Sequence, residues 1–161
     1  MITPEELKNK ASDRKKANKE LFRRIKKKKP SDLDSVMESL HHEAFSRINC
    51  LDCANCCKTI SPFLIDRDIQ RISKYLKIKP SEFVSEYLDL DNEGDYVFKK
   101  SPCPFLMDDN YCSIYDVRPR ACREYPHTDR KRFIQILDLT LKNTFICPAV
   151  YEIADKLHSK Y

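Results

Sequence analysis

The sequence predicts a small, mostly α-helical, metal-braced domain with irregular cysteine-rich loops and room for one short β-hairpin. Three observations carry that prediction. Apolar residues recur at helical spacing in several segments, Leu33, Val36, Met37, Leu40 and Ala44 being the cleanest. Eight cysteines are spread over 161 residues, four of them packed as Cys50-x2-Cys53-x2-Cys56-Cys57 and the others at Cys103, Cys112, Cys122 and Cys147. The stretch from Ser101 to Pro126 crowds four prolines and three cysteines into loop-like sequence. Backbone ladders alone cannot hold such a stretch, and metal ligation is the natural brace.

The elements follow in order. Residues 5–29 place Leu7, Ala11, Leu21 and Ile25 at roughly helical spacing, with Lys26 to Lys29 suited to a helix C-terminus and Pro30 as the stop. Ser31 is read as the next N-cap, with Asp32 and Asp34 in the first turn. That helix delivers the chain to the cysteine cluster, expected to be irregular. After Pro62, Asp66 is the expected N-cap of a helix through Ile69, Ile72 and Leu76, closed by Lys77 to Lys79. Pro80 starts a short helix whose buried side would be Phe83, Val84, Tyr87 and Leu88. Asp91 to Gly94 reads as a turn and Tyr96-Val97-Phe98 as a strand. Residues 130–143 fit a helix better than a strand, and Cys147-Pro148 begins a last helix through Leu157.

Charge divides the chain unevenly. Residues 1–30 hold 12 Lys/Arg against 4 Asp/Glu, a net of +8, whereas residues 31–161 hold 18 against 21, a net of −3. The expected organisation is a basic helical arm over 1–30 and a cysteine-cluster metal-binding domain over 31–161. The arm reads first as a solvated helix and second as a nucleic-acid contact.

Composition also excludes. Gly94 is the single glycine, whereas phosphate-cradling loops need several for close backbone approach. An ordinary dinucleotide site is therefore not expected. No stretch approaches the roughly 20 apolar residues of a spanning helix, and MITPEELKNK lacks the apolar core of a signal peptide. A soluble, cytoplasmic protein is expected, and there clustered cysteines hold metal more readily than they form disulfides.

Cys-x2-Cys puts two sulfurs on one tight turn, the separation that a tetrahedral ion or a cluster edge needs. Cys56 and Cys57 cannot easily serve one ion, because neighbouring side chains in extended backbone point to opposite sides. They are expected to face different centres, or one of them does not ligate; a vicinal disulfide would be strained. His127 is a candidate ligand or hydrogen-bond partner, and His41 and His42 are expected at the surface of their helix. A Cys–His catalytic pair would need proximity and a lowered thiol pKa, which spacing alone does not supply.

CLDCANCC, then SPCPFLMDDNYCSIYDVRPRACREYP, then ICP, resembles the YkgJ-like cysteine-cluster family (CxxCxxCC). The resemblance runs from about Cys50 to Pro148. It implies a domain that chelates zinc or iron, with no assigned reaction; the three close cysteines with a remote Cys-Pro also fit the ligands of a 4Fe-4S cluster. Carried onto this chain, Cys50, Cys53, Cys56, Cys57, Cys103, Cys112, Cys122 and Cys147 are the metal-facing set. Arg118, Pro119, Arg123 and Pro126 match its fixed frame, with Pro119 stiffening the turn before Cys122. Arg118 and Arg123 would donate N–H groups to thiolates or sulfides.

The domain is also similar to part of flagellin lysine-N-methylases, which raises an iron–sulfur enzyme as an alternative. The chain carries no Cys-x3-Cys-x2-Cys motif of radical enzymes that use S-adenosylmethionine, and no catalytic residue can be named. A zinc-braced interaction module with a nucleic-acid-binding arm is the other alternative, while the leading expectation is a metal-binding protein rather than an enzyme.

Overall fold

The computed structural model describes residues 2–161. The chain is mostly helical with one small three-stranded antiparallel sheet. It forms two compact units, one from the chain up to Asn49 together with Pro126–Tyr161, the other from Cys50–Tyr125. No described helix is long and apolar enough to cross a membrane.

The first unit is helical. α1 spans Pro4–Lys28 and α2 Leu33–Phe45. A 3₁₀ turn over Phe133–Ile136 leads into α8, Leu137–Asn143, and α9 spans Pro148–Leu157. α1 starts where the chemistry dictates: the Thr3 hydroxyl accepts from the Glu6 N–H at 3.2 Å and the Glu6 carboxylate accepts from the Thr3 N–H at 2.8 Å. It ends with Lys29 in the left-handed region at φ 48°.

α1 is not the solvated arm that its charge suggests. Leu21, Phe22 and Ile25 enter a core with Met37 and Leu40 of α2, Leu137 of α8, and Ile153 and Leu157 of α9. Side-chain bonds lock this packing. The Asp34 carboxylate accepts from the N–H groups of Arg132 and Phe133 at 2.7 and 2.9 Å, and the Tyr161 hydroxyl donates to Asp32 at 2.8 Å. Asp32, not Ser31, occupies the N-cap position of α2. His41 is not a surface residue: its side chain is 18% exposed and its Nδ1 lies 2.8 Å from the Thr128 hydroxyl.

The second unit holds the sheet. α3, Cys50–Cys53, and α4, Asn55–Thr59, precede β1, Phe63–Leu64. α5 spans Asp66–Leu76 and α6 Pro80–Tyr87, followed by β2, Leu88–Leu90, and β3, Tyr96–Phe98. The strand order is β1-β3-β2, with Phe63 opposite Val97 and Leu88 opposite Phe98. The hairpin turn is tied by Asp91, whose carboxylate accepts from the N–H groups of Glu93 and Asp95, both at 2.9 Å. Gly94 takes φ 85° there, a conformation that favours glycine.

Ile65, not Asp66, is the N-cap of α5. Asp68 reaches back instead, accepting from the Ile65 N–H at 3.2 Å. The core of this unit is Leu64, Ile69, Ile72, Phe83, Leu88, Phe98, Phe105 and Ile114. Phe83 and Phe105 stack with centroids 6.4 Å apart, and Phe98 meets Phe105 edge-on at 5.6 Å.

Candidate metal centre

The cysteine cluster is more regular than its sequence suggests. α3 and α4 are two short helical turns joined at Ala54, which takes the left-handed conformation at φ 46°. Reversing direction at one residue lets the two turns present their cysteines around a corner. The Ala54 N–H donates to the Cys50 carbonyl at 2.8 Å, and the Ile60 N–H to the Cys56 carbonyl at 2.9 Å. Lys58 Nζ donates to the Cys53 carbonyl at 3.3 Å.

A second segment docks on this corner. The Cys103 N–H donates to the Cys57 carbonyl at 2.8 Å, and the Ser101 hydroxyl to the Lys58 carbonyl at 3.0 Å. From Cys103 the chain makes a narrow hairpin: Leu106 bridges to Cys112, the Met107 N–H donates to the Tyr111 carbonyl at 2.8 Å, and Asn110 turns at φ 66°. Asn110 Nδ2 ties the hairpin tip to the Leu51 carbonyl at 2.8 Å, between Cys50 and Cys53.

The third segment carries Cys122 on α7, Arg120–Glu124. Its position is set by the ion pair of buried Asp68 with half-buried Arg71, which spacing alone does not reveal. Asp68, with a side chain 1% exposed, accepts from Arg71 at 2.6 Å and from the Arg120 N–H at 3.1 Å. Arg71 also donates to the carbonyls of Val117 and Arg118 at 3.2 and 2.8 Å. Asp68 and Arg71 stand three residues apart on α5, so one helical face holds both ends of the Arg118-Pro119-Arg120 turn. The readable signal is the Asp68-x2-Arg71 pair, two residues past the expected cap at Asp66.

The thiols of Cys57, Cys103, Cys112 and Cys122 lie near enough to feel one another's charge. Burial pushes Cys122 up to about 12, with Cys57, Cys103 and Cys112 adding to it. Burial also raises Cys103 to about 11, opposed by N–H groups of Phe105 and Leu106 directed at its sulfur. Cys112 is raised by burial, opposed by the Ile114 N–H. Cys50 is raised by burial and by its neighbours Cys53 and Cys57. Cys57 goes the other way, down to about 7, chiefly through a hydrogen bond from Cys56, helped by Lys58.

N–H groups aimed at sulfur stabilise the thiolate form. Crowded thiols suit a thiophilic cation that takes their protons' place. The donor chemistry thus fits zinc or iron. Among the described residues, however, no group of three or more His, Cys, Asp or Glu side chains forms a ready-made metal cage.

Of the two arginines expected to support them, Arg118 is close enough to lower the pKa of Cys112 and Cys122 by its charge. Its guanidinium lies 3.8 Å from the Tyr115 ring centroid and donates to the Tyr115 carbonyl at 2.7 Å. Arg123 is exposed. Cys147 is half-buried in the first unit, at the N-cap of α9, packed against that unit's core.

Comparison with known proteins places the cysteine pattern within a described family. The family model described as "CxxCxxCC: Putative zinc- or iron-chelating domain" matches residues 49–144, which include seven of the eight cysteines. An uncharacterized protein of Methanocaldococcus jannaschii is 30% identical over 118 residues, 70% of this chain and 63% of that protein's length. No solved structure matches. The chain belongs to the CxxCxxCC family.

Proposed function

We propose that the chain is a metal-chelating protein whose centre is built on Cys57, Cys103, Cys112 and Cys122, with Cys50, Cys53 and Cys56 as adjoining donors. The observation that supports it is that three separate segments are tied together by the Cys103 N–H to Cys57 carbonyl bond, the Leu106–Cys112 bridge and the Asp68 contact to Arg120, close enough for the charge of Cys57 to reach Cys103, Cys112 and Cys122. Chance burial of cysteine as a small hydrophobe gives isolated thiols, not four carried on segments tied together in this way. Cys57 stands at the fork, influencing Cys50 on one side and Cys103, Cys112 and Cys122 on the other. Cys147, the eighth thiol of the pattern, is read as a further donor on the family resemblance alone.

Four thiolates suit either a tetrahedral Zn²⁺ or a 4Fe-4S cluster. Zinc would make the centre a structural brace, and a cluster would make it a redox or sensing centre. Anaerobic purification followed by metal and sulfide analysis and a visible spectrum tests both. Stoichiometric zinc in colourless protein, or iron with sulfide and broad visible absorption, supports chelation and names the metal. Folded protein that binds neither under reconstitution, with all thiols free to react, overturns it.

A further inference from the structure

We propose that the solvent face of α1 is a binding surface for the phosphate backbone of duplex nucleic acid. At 3.6 residues per turn, Lys8, Lys16, Lys19, Arg23 and Lys27 fall within one sector about 100° wide along the helix. All five are exposed. The sector points away from the buried row of Leu7, Ala11, Asn18, Leu21, Phe22 and Ile25. Glu5, at the helix's N-terminal end, is the only acid in that sector, while Asp13 and Glu20 lie beyond its edge.

Three further cations of α1 are otherwise engaged, Lys26 among them although it shares the direction of Lys8. Arg14 pairs with Asp155 at 2.6 Å, Lys26 with Asp138 at 2.9 Å, and Lys15 lies 5.9 Å from the Phe145 ring centroid. Among the described residues, none of the five stripe cations has an ion pair or a side-chain hydrogen bond. The five stripe cations thus form an open positive ridge along the solvent side of α1. That ridge is rigid, because the opposite side of the same helix is built into a core.

Its form selects the partner. From Lys8 to Lys27 the stripe is about 28 Å long, close to one turn of a duplex. It carries no aromatic side chain, so it offers no platform for stacking the bases of a single strand. It carries no exposed apolar residue either, because the leucine, isoleucine and phenylalanine side chains of α1 are buried. A helix that lies in a membrane surface needs such a face. What the ridge offers is a regular series of cations to the phosphates that border a duplex groove, contacted without regard to base sequence.

The test is fluorescence anisotropy of the metal-replete full chain with a labelled 20-base-pair DNA duplex over a salt series. Five phosphate contacts predict a slope of log affinity against log salt of about −4 to −5, a loss of roughly a hundredfold or more between 50 and 200 mM. The combined Lys19→Gln and Arg23→Gln variant is expected to flatten that slope by about 2. A matched Lys10→Gln and Lys28→Gln variant, from the other flank, should change it less. Circular dichroism and metal content, unchanged in both variants, show that the fold persists. No binding at 50 mM salt, equal effects of the two variant pairs, or equal or tighter binding to polyglutamate or to phosphatidylserine vesicles would each overturn the proposal. None of these results bears on whether the cysteines hold metal.

Discussion

The main-chain N–H of Cys103 donates to the carbonyl of Cys57 at 2.8 Å, joining two segments of the cysteine pattern that lie 46 positions apart. The bond fixes where the Cys103–Cys112 hairpin begins relative to the corner between α3 and α4. Cys57 is therefore both an anchor for the hairpin and the thiol whose charge reaches Cys50 as well as Cys103, Cys112 and Cys122. Serine at Cys57 is expected to lower metal content more than serine at Cys50 or Cys56, measured by elemental analysis of the purified variants. Equal losses from Cys56→Ser and Cys57→Ser would remove the distinction between these neighbours.

The Asp68–Arg71 pair is the second structural hinge of the site. Asp68 is almost wholly buried and accepts three hydrogen bonds, so its removal leaves Arg71 and two main-chain N–H groups without their acceptor. Asp68→Ala is expected to cost about 3 kcal/mol in urea unfolding, near the low end for a broken buried pair. It should also weaken metal retention against a chelator, because α7 and Cys122 lose their tether. A variant as stable as the parent would show that the turn is held by something else.

Metal affinity should rise with pH. Burial holds the thiols of Cys103 and Cys122 at about 11 and about 12 in the metal-free chain, so both carry protons near neutrality. A metal ion must displace those protons, and each proton released makes binding tighter as pH increases. Competition with a chelator whose own proton affinity is known, run between pH 6.5 and 8.5, is expected to show a positive slope and measurable proton release. A flat profile would mean that the bound ligands are already thiolates.

Two histidines make the first unit sensitive to acid. Burial lowers His41 below the ordinary 6.5, opposed by Asp129, and burial also lowers His158, with Arg14 adding to it. An imidazole with a lower pKa in the folded chain binds fewer protons folded than unfolded. Its contribution is fully present above the unfolded value and is lost as pH falls through 6.5 toward the folded pKa. Urea unfolding at pH 7.5 and 5.5 should show lower stability in acid, and His41→Gln with His158→Gln should reduce the difference between the two pH values. The Nε2 of His158 lies 2.8 Å from Asn18 Oδ1, a contact that glutamine is long enough to preserve in part.

The sequence by itself determined the helices and the donor inventory, because both depend on neighbours along the chain. The period of Leu33, Met37, Leu40 and Ala44, the prolines at positions 80 and 148 and the turn at Gly94 all act locally, and each element they mark is present. Eight thiols in a family pattern could also be read without a structure. Tertiary structure decided what those elements do. Charge along α1 suggested a solvated arm, but burial depends on what packs against Leu21, Phe22 and Ile25, and those partners lie on other helices. Cys-x2-Cys spacing could not show that Ala54 reverses the backbone and makes two helical turns of a supposed loop. Nor could spacing show that a main-chain bond, a hairpin and the Asp68–Arg71 pair position the segments that carry Cys57, Cys103, Cys112 and Cys122. Periodicity is a property of adjacent residues, whereas convergence is a property of contacts between distant ones.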